Sequence, residues 1–489
     1  MSHILFWNAV ALEANRKDFT NIPAGATGPM PEQGGPTLSS RALAIIHLAM
    51  YDAHAAARGN PAGLPAYLPG LPPAGGASPE AAVAGAAHRT MSILFPRQQA
   101  DFDKALADAG FPGPDPGVDY GRAVANALLA DRGGDPGAGN AGHVHSNAPG
   151  RHRPDPVVTQ GSHAPWYGKA SKCFAVSQRH KLNAPPAKGS PEYNRALRQV
   201  RGKGIAPEMM GGLPASYSNL ASEASKRTPG ETLIGTYWAY DGVRNLGTPP
   251  RLYNQIAREV AKLKNVGAAA EDENARLFAL VNAAMGDAGI LAWDDKYDYD
   301  VWRPVLGIRE HDPSMGPAAP APDDSIDADC DPEWRPLGAP NSNNRGGTDF
   351  TPPFPAYPSG HATFGGAALH MIRLFYGVPV NDRSADAIYQ GPFVSGEHNG
   401  VSIDSRGVVR ANHARKFDDG LWQMILENGF SRVYLGVHWY FDAFALEADG
   451  TPDLTQMIGG VPLGLKIAED IWSFGNQEGP KKSPAGPRL

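Results

Sequence analysis

Apolar residues recur every three to four positions along most of this chain, a spacing that predicts amphipathic helices. Leu43, Ile46 and Met50, for example, fall on one stripe that follows two consecutive serines, which are good helix-start residues. Stripes of this kind predict helices over 40–57, 80–95, 119–132, 252–264, 274–293, 361–376, 411–428, 438–448 and 461–474. Alternating, strand-like segments are scarce, so the pattern predicts an all-α protein.

Segments rich in proline and glycine separate these helices, and the chain contains 46 prolines and 57 glycines. The predicted loops are 21–38, 58–78, 133–166 and 312–358. The last is long for a connection inside a compact domain, and such loops are usually functional or disordered. Because it leads straight into Ser359, we expect an ordered loop that walls a site.

The helical pattern suggests a division into two parts and a tail. We expect an N-terminal helical region over 1–230, a C-terminal helical bundle over 231–475 and a flexible tail over 476–489.

Composition excludes several classes of protein. The chain has 489 residues, 42% of them hydrophobic and 19% charged, which is typical of a globular protein. Its net charge of −6 argues against nucleic-acid binding. Cys173 and Cys330 are too few for a disulfide framework and are expected to be free thiols. The N-terminus lacks a basic region before its apolar stretch, so no signal peptide is predicted, and no apolar run predicts a membrane span. A soluble protein of unknown compartment and oligomeric state is expected.

Lys296 and Arg303 form the first candidate segment. Seven residues separate them, which returns to the same face of a helix after two turns. Pro304 disfavours helix at Arg303, so we expect Arg303 near the end of the helix that carries Lys296. Trp293 lies on the same face, and charges among aromatic residues suggest a partly buried site. Two solvated surface charges are the alternative interpretation.

Ser359, Gly360 and His361 form the second segment, directly before an apolar helix. A helix N-terminus offers free N–H groups and a positive dipole end, both of which bind oxyanions. Gly360 would let an anion approach the backbone. His361 would then act as a general acid–base group. Ser359 is also a good helix N-cap without any ligand.

Arg432, His438 and Asp442 form the third segment. Six residues do not return to one helix face, so Gly436 is expected to break the helix and let Arg432 and His438 converge. Asp442 lies one turn after His438 and could orient its imidazole. A surface ion pair is the simpler interpretation of His438 and Asp442.

Together the three segments predict a pocket for a tetrahedral oxyanion such as phosphate or vanadate. They supply three cations, a hydroxyl, helix-end N–H groups and two histidines. Four other histidines fit no zinc-binding spacing and are expected on the surface of a loop; they are His143, His145, His152 and His163.

At these residues the chain resembles the vanadium-dependent haloperoxidases, whose pocket is shared with type 2 phosphatidic acid phosphatases and bacterial class A acid phosphatases. Matching segments run from residue 4 to about 475, and the likeness is strongest to the fungal vanadium chloroperoxidases. The segments that carry it lie at 4–8, 237–242, 247–251, 352–357 and 459–464. The chain departs from the fungal pattern in its N-terminal loops, in the connection 312–347 and in a shorter connection at 378–410.

The resemblance implies two four-helix bundles, with a vanadate cofactor at one end of the second. It makes His438 the direct ligand of vanadium and His361 the acid–base histidine. The residues that would hydrogen-bond vanadate oxygens are Lys296, Arg303, Ser359, Gly360 and Arg432. Asp241 would pair with Arg432, and Trp293 and Phe354 would line the halide side. Algal bromoperoxidases have a histidine at the position of Phe354.

The resemblance therefore implies oxidation of chloride and bromide by hydrogen peroxide to hypohalous acid, which would react with small organic acceptors. Lys296 would polarise the peroxide. The alternative is an acid phosphatase in which His438 attacks phosphorus and His361 protonates the leaving oxygen. A non-enzymatic oxyanion-binding protein is a third interpretation, but it would not need an acid–base histidine beside the anion.

Overall fold

The computed structural model describes residues 2–20, 30–212, 226–318 and 326–488. Helices dominate these ranges, and the few strands form two short antiparallel pairs, so the predicted all-α class is confirmed. The helices are α1 (His3–Thr20), α2 (Gly35–Ala57), α3 (Pro79–Leu94), α4 (Gln99–Asp108), α5 (Pro116–Asp131), α6 (Tyr167–Ala170), α7 (Pro191–Lys203), α8 (Pro229–Tyr237), α9 (Pro249–Lys264), α10 (Ala270–Tyr299), α11 (Pro304–Arg309), α12 (Gly360–Phe375), α13 (Gly420–Tyr434) and α14 (Gly460–Phe474). The strand pairs are β1 (Phe393–Val394) with β2 (Ala414–Arg415), and β3 (Ala445–Leu446) with β4 (Pro452–Asp453).

Most predicted helices match within a few residues, and their ends follow local chemistry. Several begin with proline in the first turn behind a side-chain cap, as at Ser78 and Asp115. Two predictions were wrong. The helix predicted over 411–428 begins only at Gly420, because β2 occupies its first part. The helix predicted over 438–448 is a single 3₁₀ turn, Tyr440–Asp442, followed by β3.

The helices pack as two groups that share one hydrophobic core. In the first group α2, α3 and α5 pack on one another, with α1 against α2 and α3. In the second, α12 packs against α10, α13 and α14. Helix α10 also packs against α2 and so joins the groups. Buried residues of both groups form a continuous cluster. Because this core is continuous across both groups, the predicted division near residue 230 remains a proposal.

Helix α10 is the central element and carries two candidate site residues, Trp293 and Lys296. It has 30 residues and is long and apolar enough to cross a membrane by composition alone. Of its most apolar window, 94% is buried inside the protein, which is the pattern of a core helix. The close approach of α10 to its neighbours uses small residues: a Cβ at Gly286 would lie 2.7 Å from the ring of Phe174.

The C-terminal segment differs from the expected flexible tail. The N–H of Ser483 donates to Phe174 O at 2.8 Å, and the N–H of Cys173 donates to Ala485 O at 2.9 Å. Arg488 donates to Asp294 on α10 at 2.8 Å. These bonds hold residues 483–488 against α10 and the loop that contains Cys173 and Phe174. Cys173 itself, like Cys330, is a buried free thiol, as predicted.

Candidate active site

The candidate residues meet where α10 ends and loops from the rest of the chain converge. Asp300 adopts a left-handed conformation (φ 52°) and caps α10, after which the chain is extended through Arg303 (φ −78°, ψ 157°). Arg303 is thus the N-cap residue of α11, and the prediction that it shares a helix face with Lys296 was wrong. Pro304 explains the difference, since it occupies the first position of the new helix.

Arg303 is fully buried and spreads its guanidinium over three acceptors. Its Nε donates to Phe354 O at 2.9 Å, and its Nη1 donates to Val437 O at 2.7 Å and to His438 Nε2 at 2.8 Å. Its Nη2 is buried and has no partner among the described residues. Burial lowers the pKa of Arg303 to about 9. The Nη2 edge of the buried Arg303 guanidinium therefore has no acceptor among the described residues.

Arg432 comes from the last turn of α13 and is held by a fork of two bonds. Its Nη1 and Nη2 donate to the carboxylate of Asp241 at 3.0 and 2.7 Å. The predicted pair is therefore present in the structure. The Nε of Arg432 is buried and, within the described parts of the chain, has no partner. A second guanidinium donor is thus free beside the first.

His438 is oriented on both sides of its ring. Helix α13 ends at Tyr434, and Gly436 (φ 73°) turns the chain as predicted; a Cβ there would lie 2.4 Å from Gly204 O. Nδ1 of His438 lies 2.7 Å from Asp442 Oδ2, and Nε2 faces Arg303, which can only donate. Burial, with the neighbouring Arg303 and Lys296, holds the pKa of His438 well below its ordinary value. The neutral ring therefore carries its proton on Nδ1 and a lone pair on Nε2.

Asp442 is the group that fixes this tautomer. The same oxygen, Oδ2, also accepts the N–H of Trp439 at 3.0 Å. Burial raises the pKa of Asp442 to about 7, against the opposing effect of Lys296 and Arg303. The contact expected between Asp442 and the His438 ring is therefore present.

The side chain of Lys296 bonds to the loop that precedes Ser359. Its Nζ donates to Pro355 O at 2.8 Å, to Ala356 O at 3.0 Å and to Pro358 O. All three of its donors are thus used by the loop that leads to Ser359. Burial, with Arg303 and Arg432 nearby, holds the pKa of Lys296 well below its ordinary value. A direct bond from Lys296 to a ligand would require the release of one carbonyl.

Ser359 and Gly360 form the start of α12, as predicted. Ser359 is the N-cap residue; its Oγ accepts from Ala362 N at 3.4 Å, and its own N–H donates to Asp442 O at 2.7 Å. The first N–H groups of α12 have no acceptor within the helix. Gly360 is tightly placed, since a Cβ there would lie 3.3 Å from the ring of Trp293. The helix N-terminus is thus tied to the segment that carries His438.

His361 follows at the second position of α12. Its Nε2 lies 2.5 Å from Ala239 O, so this nitrogen carries the ring proton. Burial, and then the charge of Arg432, lower the pKa of His361 to about 3. Without a bound anion the ring is therefore neutral at physiological pH, with a free lone pair on Nδ1.

A cavity of about 910 Å³ opens over these residues. The candidate residues that line it are Asp241, Trp293, Phe354, Gly360, His361, Arg432 and His438. Residues within 341–354 of the connection 312–358 contribute to its wall, as expected for a loop that walls a site. Residues 319–325 of this connection lie outside the described residues. The rings of Trp293 and Phe354 lie 4.7 Å apart on the apolar side.

His163 also lines this cavity and was missed by the sequence prediction. Its ring centroid lies 6.2 Å from those of both Trp293 and Phe354, and its Nε2 lies 2.9 Å from Thr37 Oγ1. Burial lowers its pKa to about 4, so the ring is neutral. No short-range pattern in the sequence marks it, because the loop 133–166 reaches the site only in the folded chain.

The other loop histidines are less exposed than predicted. His152 is buried, while His143 and His145 are partly buried and stack edge to face with centroids 5.0 Å apart. Within the described ranges, no group of three or more histidine, cysteine, aspartate or glutamate side chains has the geometry to hold a metal ion.

The site thus brings three buried basic side chains together with two carboxylates. Its free elements are two guanidinium donors and the N–H groups at the start of α12, and the His438 lone pair becomes available when Arg303 Nη1 turns to another acceptor. This donor set suits an anion that carries charge on several oxygen atoms and accepts many hydrogen bonds. A bound oxyanion would also offset the cost of burying the excess positive charge.

Comparison with known proteins agrees with this chemistry. A family model of the second helical-bundle domain of vanadium chloroperoxidase matches residues 276–451, and one of the vanadium chloroperoxidase N-terminal domain matches residues 1–111. The vanadium chloroperoxidase of Curvularia inaequalis is 35% identical over 99% of this chain and 93% of its own length.

Solved structures share the fold at lower sequence identity. A bacterial vanadium-dependent iodoperoxidase has a TM-score of 0.60 at 19% identity and covers 96% of this chain and 95% of its own. An apo-type bacterial vanadium-dependent chloroperoxidase has a TM-score of 0.62 at 15% identity and covers 94% and 96%. With family models over more than half of its length and a relative 35% identical along nearly all of it, the chain belongs to the vanadium chloroperoxidase family.

Proposed function

We propose that the protein is a vanadate-dependent haloperoxidase that oxidises chloride and bromide with hydrogen peroxide. Halide loses two electrons and peroxide is reduced, so the products are hypohalous acid and water. The observation that carries the proposal is the lone pair of His438, fixed by Asp442 and placed beside two unpartnered guanidinium donors. Family membership supports the same activity.

The residues of the site fit vanadate. His438 would bind the vanadium through Nε2, which requires that the bond from Arg303 Nη1 move to a ligand oxygen. Arg303 Nη2 and Arg432 Nε would hold vanadate oxygens, as would Ser359 and the N–H groups of Gly360 and His361. When bound, vanadate supplies a Lewis-acidic centre that activates hydrogen peroxide toward halide without a change of oxidation state.

His361 would move protons near the reacting oxygens. Its neutral ring can accept a proton on Nδ1, while the bond from Nε2 to Ala239 O keeps the ring in place. It would take a proton as peroxide enters and return one to the departing oxygen, a role worth about 10²–10⁴ in rate. Lys296 would act mainly through its charge, because its three donors hold the loop 355–358.

The apolar side of the cavity would select the halide. Trp293 and Phe354 lack groups that ionise there, and the neutral His163 adds little charge. In a dry pocket the positive charges of Arg303 and Lys296 would polarise the peroxide more strongly. Chloride is harder to oxidise than bromide and so requires a more strongly polarised peroxide. Hypohalous acid would then halogenate small organic acceptors, and the cavity has room for one beside the anion site.

The test of halide choice is a steady-state assay of vanadate-loaded protein with chloride or bromide at mildly acidic pH. A chlorination-sensitive dye reports hypohalous acid. We expect turnover with both halides. Bromide turnover without detectable chloride turnover would leave a bromoperoxidase and contradict the role given to Phe354.

Phosphomonoester hydrolysis is the second candidate, because the same His438 lone pair could attack phosphorus. Vanadate resembles a phosphoryl-transfer transition state, so one pocket can serve both reactions. Phosphatase activity of the vanadate-free protein that exceeds the vanadate-dependent halide oxidation would favour this alternative.

A further inference from the structure

Three consecutive residues, 239–241, contact two different parts of the candidate active site. Ala239 O accepts the ring proton of His361 at 2.5 Å. Asp241 accepts both terminal N–H groups of Arg432 at 2.7 and 3.0 Å. The proposed acid–base residue and one proposed anion-binding residue are therefore aligned by the same short piece of backbone.

This piece of backbone is not part of a helix or strand. Helix α8 ends at Tyr237, and Tyr240 adopts a left-handed conformation (φ 48°) that side chains larger than glycine disfavour. Gly242 follows with φ 76°. Such backbone persists where surrounding contacts determine it. Local backbone bonds of Ala239 and Gly242 contribute, and further contacts come from a distant part of the chain.

Glu397 supplies the central contact. Its carboxylate is fully buried; Oε1 accepts the N–H of Tyr240 at 3.3 Å. Oε2 accepts from Ser342 Oγ at 2.6 Å and from Arg410 Nη1 at 2.9 Å. Burying a carboxylate is costly unless its partners compensate. These partners fix Glu397 and leave one oxygen directed at the backbone of Tyr240.

The residues just before Glu397 add one bond to this segment and one to the end of α8 that precedes it. Ser395 Oγ donates to Tyr237 O at 2.6 Å, and the N–H of Gly396 donates to Tyr240 Oη at 2.6 Å. A Cβ at Gly396 would lie 2.5 Å from that hydroxyl, so glycine permits the approach. The turn 395–397 lies in the connection 378–410, where the chain departs from the fungal pattern.

We propose that Glu397 is a positioning residue for this site, which holds residues 239–241 and through them His361 and Arg432. The proposal rests on the proposed function for the role of His361 in turnover. Its effect on Arg432 is separate, because oxyanion binding needs no reaction.

Two substitutions separate the effect of the Glu397 side-chain length, which allows the bond to Tyr240 N–H, from the effect of its charge. Glu397→Asp keeps the charge, and so the pairing with Arg410 and Ser342, but withdraws the oxygen from Tyr240. Glu397→Gln keeps an oxygen within reach of Tyr240 N–H but loses the charge and the bond from Arg410, and its amide NH2 would donate to Ser342 Oγ instead of accepting from it. If the residue acts through Tyr240, the aspartate variant is impaired and the glutamine variant is close to wild type. A purely structural ion pair predicts the reverse order.

The readouts are the vanadate dissociation constant, measured by calorimetry without peroxide or halide, and kcat with bromide at saturating vanadate. We expect Glu397→Asp to raise the dissociation constant and to lower kcat, each about three- to tenfold, the effect of one hydrogen bond. Glu397→Gln should change each by less than about twofold.

Glu469→Asp is the matched control. Glu469 lies on α14 and is also a buried carboxylate, paired with His370 at 3.2 Å and with Arg383 at 2.5 Å. The same shortening there should lower the melting temperature without changing either readout. Equal effects of both Glu397 variants, no effect of either, or a larger effect of Glu397→Gln would overturn the proposal. Wild-type protein that binds vanadate but oxidises no halide would instead refute the proposed function.

Discussion

Arg303→Lys tests whether the geometry of the guanidinium, rather than its charge, binds the oxyanion. In the wild type Nε and Nη1 bond to Phe354 O, Val437 O and His438, while Nη2 is free for the ligand. Lysine keeps the positive charge but has a single nitrogen. It cannot hold the backbone carbonyls and the anion at once.

The expected loss follows from the contacts. One charge-assisted hydrogen bond to the anion contributes about 1.5–3 kcal/mol, so vanadate should bind about 10- to 150-fold more weakly. The fold should persist, because the buried positive charge is kept.

The assay is a vanadate titration by calorimetry or equilibrium dialysis without peroxide, together with thermal unfolding. Arg373→Lys is the matched control, since Arg373 is equally buried but bonds to Asp386 at 2.9 Å and Ser384 O at 2.6 Å, away from the cavity. That variant should bind vanadate within about twofold of wild type. An Arg303→Lys protein that is folded and binds vanadate within about threefold of wild type would refute the assignment of Nη2.

Three further predictions concern the histidines. His361→Ala should bind vanadate but turn over about 10²–10⁴-fold more slowly, measured as kcat at saturating vanadate; a change in affinity alone would make it a binding residue. Asp442→Ala should weaken vanadate binding about 10- to 100-fold, because His438 loses the acceptor that fixes its tautomer. Equilibrium dialysis measures this affinity, and an unchanged value would contradict the role of Asp442. The pKa of His361 is about 3 without ligand, and a bound anion raises it, so vanadate binding takes up a proton. The affinity for vanadate should therefore fall as pH rises above about 3, and it should fall less steeply in His361→Ala.

The helices of this fold were predictable wherever a single apolar stripe faces the core, as in α5 and α9. The failure at 438–448 has a local cause. Trp439 is extended (φ −72°, ψ 155°), and the aromatic residues after it pack in different directions around one 3₁₀ turn. Composition there looks helical, but tertiary contacts determine the backbone.

The candidate site was predictable as a set of residues but not as an arrangement. The pairing of Asp442 with His438 was expected from a one-turn spacing on a helix, but it forms across the extended residue Trp439 and a 3₁₀ turn. By contrast, the use of all three Lys296 donors by the loop 355–358 depends on contacts about 60 residues apart. His163 and Glu397 reach the site through long connections, and no periodicity connects either of them to His361 or Arg432.

The most direct test of the central claim is peroxide-driven bromide oxidation by purified protein before and after vanadate loading, with His438→Ala in parallel. We predict turnover only in the wild-type protein and only with vanadate, because His438 is the proposed sole side-chain ligand of vanadium. The variant should remain folded by circular dichroism. Halide oxidation by wild-type protein that does not depend on vanadate, or normal turnover by folded, vanadate-loaded His438→Ala, would contradict the account.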